Sequence, residues 1–193
     1  MTVRLMVPLL LLFASCSGDP PASGKTVSFD LQQLGQVPPF LLLERAGVPL
    51  GLEQLKGKVW IADFIFTRCQ GPCVAMSTEM SRMQEEFRKD ADLLLVSTTV
   101  DPAFDTVEVL RQYGKRFQAL PDRWFFLTGL REQIRDLAVN GLKVPWRDED
   151  PLTHSERFVL VDRTGQIRGF YQLTEPGRME KLRKDARVVL DEE

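Results

Sequence analysis

Histidine and cysteine are scarce in this chain, and neither sign of charge is in excess. Its 193 residues include one histidine and three cysteines, and 25 Lys and Arg stand against 27 Asp and Glu, for a formal net charge of −2. Because no basic stripe stands out, the chain lacks the electrostatic footprint of a nucleic-acid-binding protein. The 44% of apolar and 27% of charged residues are ordinary for a globular protein, which excludes a polytopic membrane protein and a disordered chain.

The apolar stretch near the N-terminus, Leu5–Phe13, is too short to span a bilayer as a mature helix but suits a signal peptide. The run Phe13-Ala-Ser-Cys16 resembles the bacterial lipobox, in which the cysteine is lipidated and becomes the mature N-terminus. Residues 1–15 are therefore predicted to be a lipoprotein signal peptide and Cys16 a lipidation site, with an ordinary secretory signal as the alternative. In both cases the chain leaves the cytosol. The lipoprotein would be anchored to a membrane of the bacterial cell envelope, facing the periplasm or the extracytoplasmic side.

The rest of the chain divides into a tether and one domain. Residues 16–36 start rich in Ser, Gly and Pro, which predicts a flexible linker, and residues 37–193 have the length of one globular domain. The hydrophobic pattern predicts, in order, a hairpin, a buried strand, a helix, a second buried strand, a helix, a strand, a helix, a strand–turn–strand and a final helix. These elements fall at 40–43 with 48–50, 59–66, 76–87, 92–100, 109–117 with Asp105 as N-cap, 124–127, 131–140 with Gly141 as C-cap, 158–171 and 176–190. This order predicts an α/β, thioredoxin-like fold, with a central mixed sheet flanked by helices and an N-terminal hairpin extension typical of the peroxiredoxin-related branch.

Methionines recur at helical spacing in the first predicted helix, at Met76, Met80 and Met83, followed by Phe87. Thioether sulfur is a soft ligand that suits copper. An apolar stripe at this spacing is far more often the face by which a helix packs on a core. We therefore predict that the stripe is part of the core.

The segment Thr67-Arg-Cys-Gln-Gly-Pro-Cys73 joins the first buried strand to that helix. Pro72 suits the first position of a helix, which places both thiols at a helix N-terminus, where the dipole and the backbone donors favour thiolate. Thiolates act both as redox nucleophiles and as soft metal ligands. Three residues separate Cys69 from Cys73, against two in a redox thioredoxin. The wider loop leaves room for an ion between the sulfurs and still allows a disulfide.

Two thiolates and an imidazole form a soft-leaning ligand set that is well matched to copper. A structural zinc site usually has four ligands, and with Cys16 assigned to the anchor the chain has no fourth Cys or His. A plain stabilising disulfide between Cys69 and Cys73 is the structural alternative in an oxidising compartment. A bridge that closes so small a loop would add less stability than one that closes a longer loop.

His154 precedes the predicted strand that begins at Phe158. A lone histidine is more often a surface or hydrogen-bonded structural residue than a ligand. In the thioredoxin-like fold, however, the loop entering this strand faces the cysteine loop, so His154 could reach a metal held by the two cysteines.

Asp63 lies inside an apolar strand, six residues before Cys69. Redox thioredoxins carry a similar buried aspartate, which takes up the proton of the second cysteine, and burial would raise its pKa. A strand-end carboxylate with a hydrogen-bond partner is the alternative, and the sequence does not rank the two.

Four segments, in this order and spacing, resemble the SCO/SenC family of copper-binding thioredoxin-like proteins, which assist assembly of the dinuclear copper centre of cytochrome c oxidase. They are Gly57-Lys58, then Phe66-Thr-Arg-Cys69 with Cys73, then Ser97-Thr-Thr-Val-Asp-Pro102 with Asp105-Thr106, and His154-Ser155 with Phe158–Asp162. The resemblance covers residues 37–173. Members of the family usually have proline directly after each cysteine, whereas Gln70 and Val74 stand there in this chain.

The resemblance implies that Cys69, Cys73 and His154 bind copper, as Cu(I) or Cu(II), and that the two cysteines form a redox-active pair able to form a disulfide. Its implied partner is the copper-bearing subunit of cytochrome c oxidase or another periplasmic copper protein. Asp101 and Asp105 match the family's acidic loop, although a role at a helix start explains them equally well. The alternative functions are a thiol–disulfide reductase that acts on the cysteines of a copper-site partner, and a redox or copper sensor. Enzymatic activity therefore stays open, but a peroxiredoxin is disfavoured because the Pro-x-x-x-Thr-x-x-Cys arrangement is absent.

Overall fold

The computed structural model describes Met1, residues 31–147 and residues 155–192. The strands are β1 (Leu41–Glu44), β2 (Pro49–Gly51), β3 (Val59–Ile65), β4 (Leu93–Thr99), β5 (Trp124–Thr128), β6 (Arg157–Val161) and β7 (Ile167–Gln172). The helices are α1 (Leu52–Leu55), α2 (Pro72–Glu86), α3 (Val107–Arg116), α4 (Arg131–Asp136) and α5 (Arg178–Asp191). Within the described ranges, no helix is both long enough and apolar enough to cross a membrane.

The strands form one mixed sheet in the order β2-β1-β5-β4-β3-β6-β7. The three central strands β5, β4 and β3 are parallel. The hairpin β1–β2 extends the sheet on one side through an antiparallel pair of β1 with β5, and the hairpin β6–β7 extends it on the other through an antiparallel pair of β6 with β3. The prediction of an α/β fold with a central mixed sheet is confirmed, and the sheet begins with the predicted N-terminal hairpin.

The centre of the sheet is the parallel pair β3–β4, whose register runs from Val59 opposite Leu93 to Ile65 opposite Thr99. Every residue of both strands is buried, because helices or further strands cover each face. Such strands read in sequence as continuous apolar runs. The polar residues within them therefore stand out, and Asp63 lies opposite Ser97 in the register.

Two hydrophobic clusters lie on the sheet. One contains Trp60, Phe64 and Leu127 together with Ile134 of α4. The other contains the helix stripe of α2 and its continuation, Cys73, Met76, Met80, Met83 and Phe87, all with no exposed surface. The prediction that the methionine stripe belongs to the core is confirmed.

The structure departs from the predicted helix over 131–140 in the second half of that segment. α4 ends at Asp136, and residues Leu137–Gly141 continue as a π-helical turn. The backbone N–H of Leu142 donates to the carbonyl of Leu137 at 2.7 Å, at a separation of five residues. Gly141 therefore lies inside the wide turn instead of capping an α-helix, and the C-cap prediction is wrong.

The segment that leads into the domain pairs with β7. Leu34 donates its N–H to the carbonyl of Ile167 at 2.8 Å, and Val37 donates to Gly165 at 2.9 Å. The guanidinium group of Arg168 donates to the carbonyl of Leu31 from two nitrogens, at 3.3 and 3.0 Å. The last residues assigned to the tether from the sequence thus lie along the sheet.

Candidate metal and redox site

Cys69 and Cys73 meet where β3 ends and α2 begins. Gly71 is the N-cap of α2, Pro72 is its first residue, and Cys73 is the second. Both cysteines carry thiols and are not joined by a disulfide. The structure places the pair at a helix N-terminus, as Pro72 predicts.

Cys73 is enclosed by the core. Its side chain has no exposed surface, and its sulfur accepts the backbone N–H of Phe66 at 3.4 Å. Burial raises the pKa of the Cys73 thiol far above its ordinary value, and the neighbouring Cys69 and Asp63 act in the same direction. The expectation that the helix N-terminus favours thiolate is therefore wrong for Cys73, since desolvation outweighs the helix dipole.

Cys69 is the accessible member of the pair. It is half-buried, and its sulfur accepts the backbone N–H of Cys73 at 3.4 Å. The turn that carries Cys69 is closed by its own N–H, which donates to the carbonyl of Phe66 at 3.2 Å. One sulfur is thus open to solvent and the other lies behind it, an arrangement in which an incoming ion or disulfide reaches Cys69 first.

Asp105 joins the cysteine loop to the end of β4. Its carboxylate accepts the N–H of Thr67 at 3.1 Å, the hydroxyl of Thr67 at 2.5 Å and the hydroxyl of Thr99 at 2.5 Å. The side chain is fully buried. The N-cap of α3 is Thr106, whose hydroxyl accepts the N–H of Val109, so the N-cap role predicted for Asp105 is wrong. Its carboxylate is hydrogen-bonded to both threonines. No sequence pattern links Thr67, Thr99 and Asp105, so these contacts were not predicted.

Arg68 and Phe104 form the surface beside the cysteine loop. The guanidinium group of Arg68 lies 4.4 Å from the ring centroid of Phe104 and donates to Asp101 at 2.6 Å. Phe104 is one of the large apolar side chains that stay exposed. Asp101 therefore pairs with a neighbouring cation, in an ion pair whose Arg68 side is half exposed.

Asp63 is fully buried in β3, and neither oxygen of its carboxyl group has a hydrogen-bond partner among the described residues. Burial raises its pKa to about 7. Ser97 acts in the opposite direction, although its hydroxyl does not reach hydrogen-bond geometry with either oxygen. The hydrogen-bonded strand-end carboxylate considered from the sequence is not found, because Asp63 lies within the strand and lacks such a partner in the described structure.

His154 and Cys16 lie outside the described residues. In the ranges that the structure describes, no three Cys, His, Asp or Glu side chains come together as a metal-binding group. The structure therefore brings together two of the three predicted copper ligands, and the predictions on His154 and on lipidation of Cys16 stay predictions.

The fold and the paired thiols define a thioredoxin-like protein with two cysteines at the start of a helix. The family model described as SCO1/SenC matches residues 31–189, and the chain belongs to this family. The SCO1 protein homolog of Bacillus subtilis is 33% identical over 137 residues, which cover 68% of this chain and 71% of the relative. A Stutzerimonas stutzeri protein proposed to bind copper is 28% identical over 201 aligned positions, which cover 96% of this chain and 95% of that protein.

Solved structures share the fold. A SCO1/SenC family lipoprotein from Bacillus anthracis has a TM-score of 0.73 at 29% identity and covers 81% of this chain and 95% of its own. BsSco, a member of the Sco family of cytochrome c oxidase assembly proteins in which a disulfide switch was identified, has a TM-score of 0.72 at 29% identity, with 82% and 95% covered. Copper-bound ScoI of Bradyrhizobium japonicum, at 24% identity and a TM-score of 0.66, shares the fold over 80% of this chain and 99% of its own. The thioredoxin-like fold is confirmed.

Proposed function

We propose that this chain is a copper-binding metallochaperone that holds copper through Cys69, Cys73 and His154. The observation that carries the proposal is the meeting of two thiols at the N-terminus of α2, one half-buried and one enclosed, in a member of the SCO1/SenC family. Thiolate and imidazole are soft ligands that suit copper. With two thiols supplied by the loop and the helix, a third ligand completes a set that an incoming ion can reach.

The proposed task is assembly of the copper centre of cytochrome c oxidase. BsSco belongs to a family of oxidase assembly proteins, and the copper-bound relatives supply a precedent for the cargo. The partner is the copper-bearing oxidase subunit or another periplasmic copper protein. The proposed location is the bacterial cell envelope, with a lipid anchor on Cys16, which agrees with the lipoprotein from Bacillus anthracis.

Copper titration of the reduced protein tests the ligand set. The Cys16→Ser variant serves as the reference, because its only thiols are those of Cys69 and Cys73. We expect one copper per chain, severe loss of affinity for Cys69→Ser and Cys73→Ser, and a large loss for His154→Ala. Equal stoichiometry and affinity for His154→Ala would disprove the three-ligand site. Failure of the reduced reference protein to bind copper would disprove the proposed cargo.

A second candidate function is thiol–disulfide exchange on the cysteines of a copper-site partner. The difference in exposure between Cys69 and Cys73 favours it, because one thiol can attack a partner disulfide while the enclosed thiol resolves the mixed disulfide. This function needs both cysteines but not His154. Reduction of a peptide disulfide by His154→Ala at the wild-type rate, with copper binding lost, would separate the two functions.

A further inference from the structure

We propose that Asp105 is a positioning residue for the cysteine site: it holds Thr67 against the end of β4 and thereby stabilises the dithiol form of the Cys69–Cys73 pair. The inference deepens the proposed function and rests on it for the identity of the reactive groups.

Asp105 contacts the start of the cysteine loop through hydrogen bonds to Thr67. Its two oxygens accept both donors of Thr67, which lies two residues before Cys69, and one of them also accepts the hydroxyl of Thr99. We call the two hydrogen bonds between Thr67 and Asp105 the Asp105 clasp. The side chain of Asp105 is fully buried, so water does not compete for its carboxylate.

Asp105 is itself fixed by the backbone. Its N–H donates to the carbonyl of Asp101 at 2.8 Å, and Thr106 directly after it caps α3. The end of β3 is joined to β4 by the N–H of Val100, which donates to the carbonyl of Ile65 at 2.8 Å. The clasp therefore ties the first residues of the cysteine loop to a rigid part of the sheet.

The link from Thr67 to the sulfurs is short. Cys69 closes a turn onto Phe66, the residue before Thr67, and its sulfur accepts the N–H of Cys73. Oxidation brings the two sulfurs to about 2.05 Å, so one of them must leave its position in the dithiol form. Because the clasp holds the loop of the dithiol form in place, it opposes this movement.

The test is the redox equilibrium of the Cys16→Ser protein with dithiothreitol. The thiols of Cys69 and Cys73 lose two electrons and two protons and form one S–S bond. Oxidised dithiothreitol takes up those electrons and protons while its own S–S bond breaks. Alkylation of the remaining thiols followed by mass spectrometry gives the equilibrium constant.

Thr67→Val removes one hydroxyl of the clasp and keeps the shape of the side chain. We expect its equilibrium to shift about tenfold toward the disulfide, which makes the midpoint potential about 30 mV more negative. Thr67→Ser, which restores the hydroxyl, is expected to return to within about twofold of the reference. Thr67→Ala lacks the same hydroxyl and carries the same expectation if the valine variant does not fold.

Thr99→Val is the matched control. It removes a hydroxyl that donates to the same carboxylate at the same distance, but it leaves both bonds of Thr67 in place. We expect its redox equilibrium to stay near the reference even though its thermal stability falls. A folded Thr67→Val or Thr67→Ala protein with the reference equilibrium overturns the proposal, as does an equal shift in Thr99→Val. Copper binding is measured separately on the reference protein, so its failure is distinguishable from failure of the clasp.

Discussion

The backbone N–H of Cys73 donates to the sulfur of Cys69 at 3.4 Å, so the first turn of α2 links the two thiols of the site. The sulfur of Cys73 lies on the inner side of this link, in contact with the N–H of Phe66. The pair is thus asymmetric. A reagent that arrives from solvent meets Cys69 before it meets Cys73.

Alkylation rates test this asymmetry. In the native Cys16→Ser protein, we expect iodoacetamide to modify Cys69 at least about tenfold faster than Cys73, because the buried thiol is both enclosed and protonated. Mass spectrometry of timed digests measures the two rates. The unfolded protein in urea is the control, in which the rates are expected to converge. Equal rates in the native protein would contradict the exposure difference.

The buried carboxyl group of Asp63 makes stability depend on pH. Its pKa of about 7 in the folded protein lies above the ordinary value of 3.8, so the folded state holds the proton more tightly than the unfolded state does. Stability from this group is complete below pH 3.8 and is lost as the pH rises toward 7, and above 7 the loss is constant. Between pH 5 and 8 we expect a loss of about 3 kcal/mol.

Asp63→Asn removes this titration with little change of shape. Urea unfolding of both proteins at pH 5 and pH 8 is the measurement, and the variant is expected to gain stability relative to wild type as the pH rises. Every other titrating group is the same in the two proteins, which makes the difference specific to Asp63. Parallel pH profiles for the two proteins would show that the carboxyl group is not held neutral.

Two variants of Met80 test whether the methionine stripe packs in the core or binds copper. Because Met80 is fully buried in α2, Met80→Ala is expected to lower the free energy of unfolding by about 2–5 kcal/mol. Met80→Leu keeps the volume and removes the sulfur, and its cost is expected to stay below about 1.5 kcal/mol. Copper stoichiometry is expected to be unchanged in the leucine variant. Loss of bound copper in Met80→Leu would make the thioether a ligand.

Arg168 anchors the start of the domain. It is almost fully buried and pairs with Asp162 at 3.1 Å and with Glu192 at 2.5 Å, while it donates to the carbonyl of Leu31. Arg168→Ala is expected to cost about 3 kcal/mol, because it leaves the buried carboxylate of Asp162 without its cation. Arg178→Ala breaks an exposed pair with Glu175 and is the control, with an expected loss below about 1 kcal/mol. Similar midpoints in urea for both variants would contradict a structural role of Arg168.

The sequence predicts the sheet better than it predicts the site. The strands around Val59 and Leu93 were predictable because each is a continuous apolar run, and α2 was predictable from its methionine spacing and from Pro72. The difference in burial between the two cysteines depends on the packing of the whole second cluster over α2, which no local pattern encodes.

The Asp105 clasp shows the same limit of local patterns. Thr67, Thr99 and Asp105 lie in three separate segments, and polar residues after strands commonly mark turns. Only the parallel register of β3 on β4 brings the ends of these segments together. The π-helical turn after α4 also escaped prediction, because its apolar residues keep a helical spacing.

The cysteine loop lies inside the β3–α2–β4 crossover, whose strands pair over their full length. Parallel strands need a crossover connection, which is α2 here, and parallel sheets are intrinsically slow to form. Until α2 packs on the sheet, the thiol of Cys73 is therefore not yet enclosed. Folding ends the time during which oxidants and metal ions reach Cys73 directly. A chain that folds faster therefore exposes its inner thiol for a shorter time.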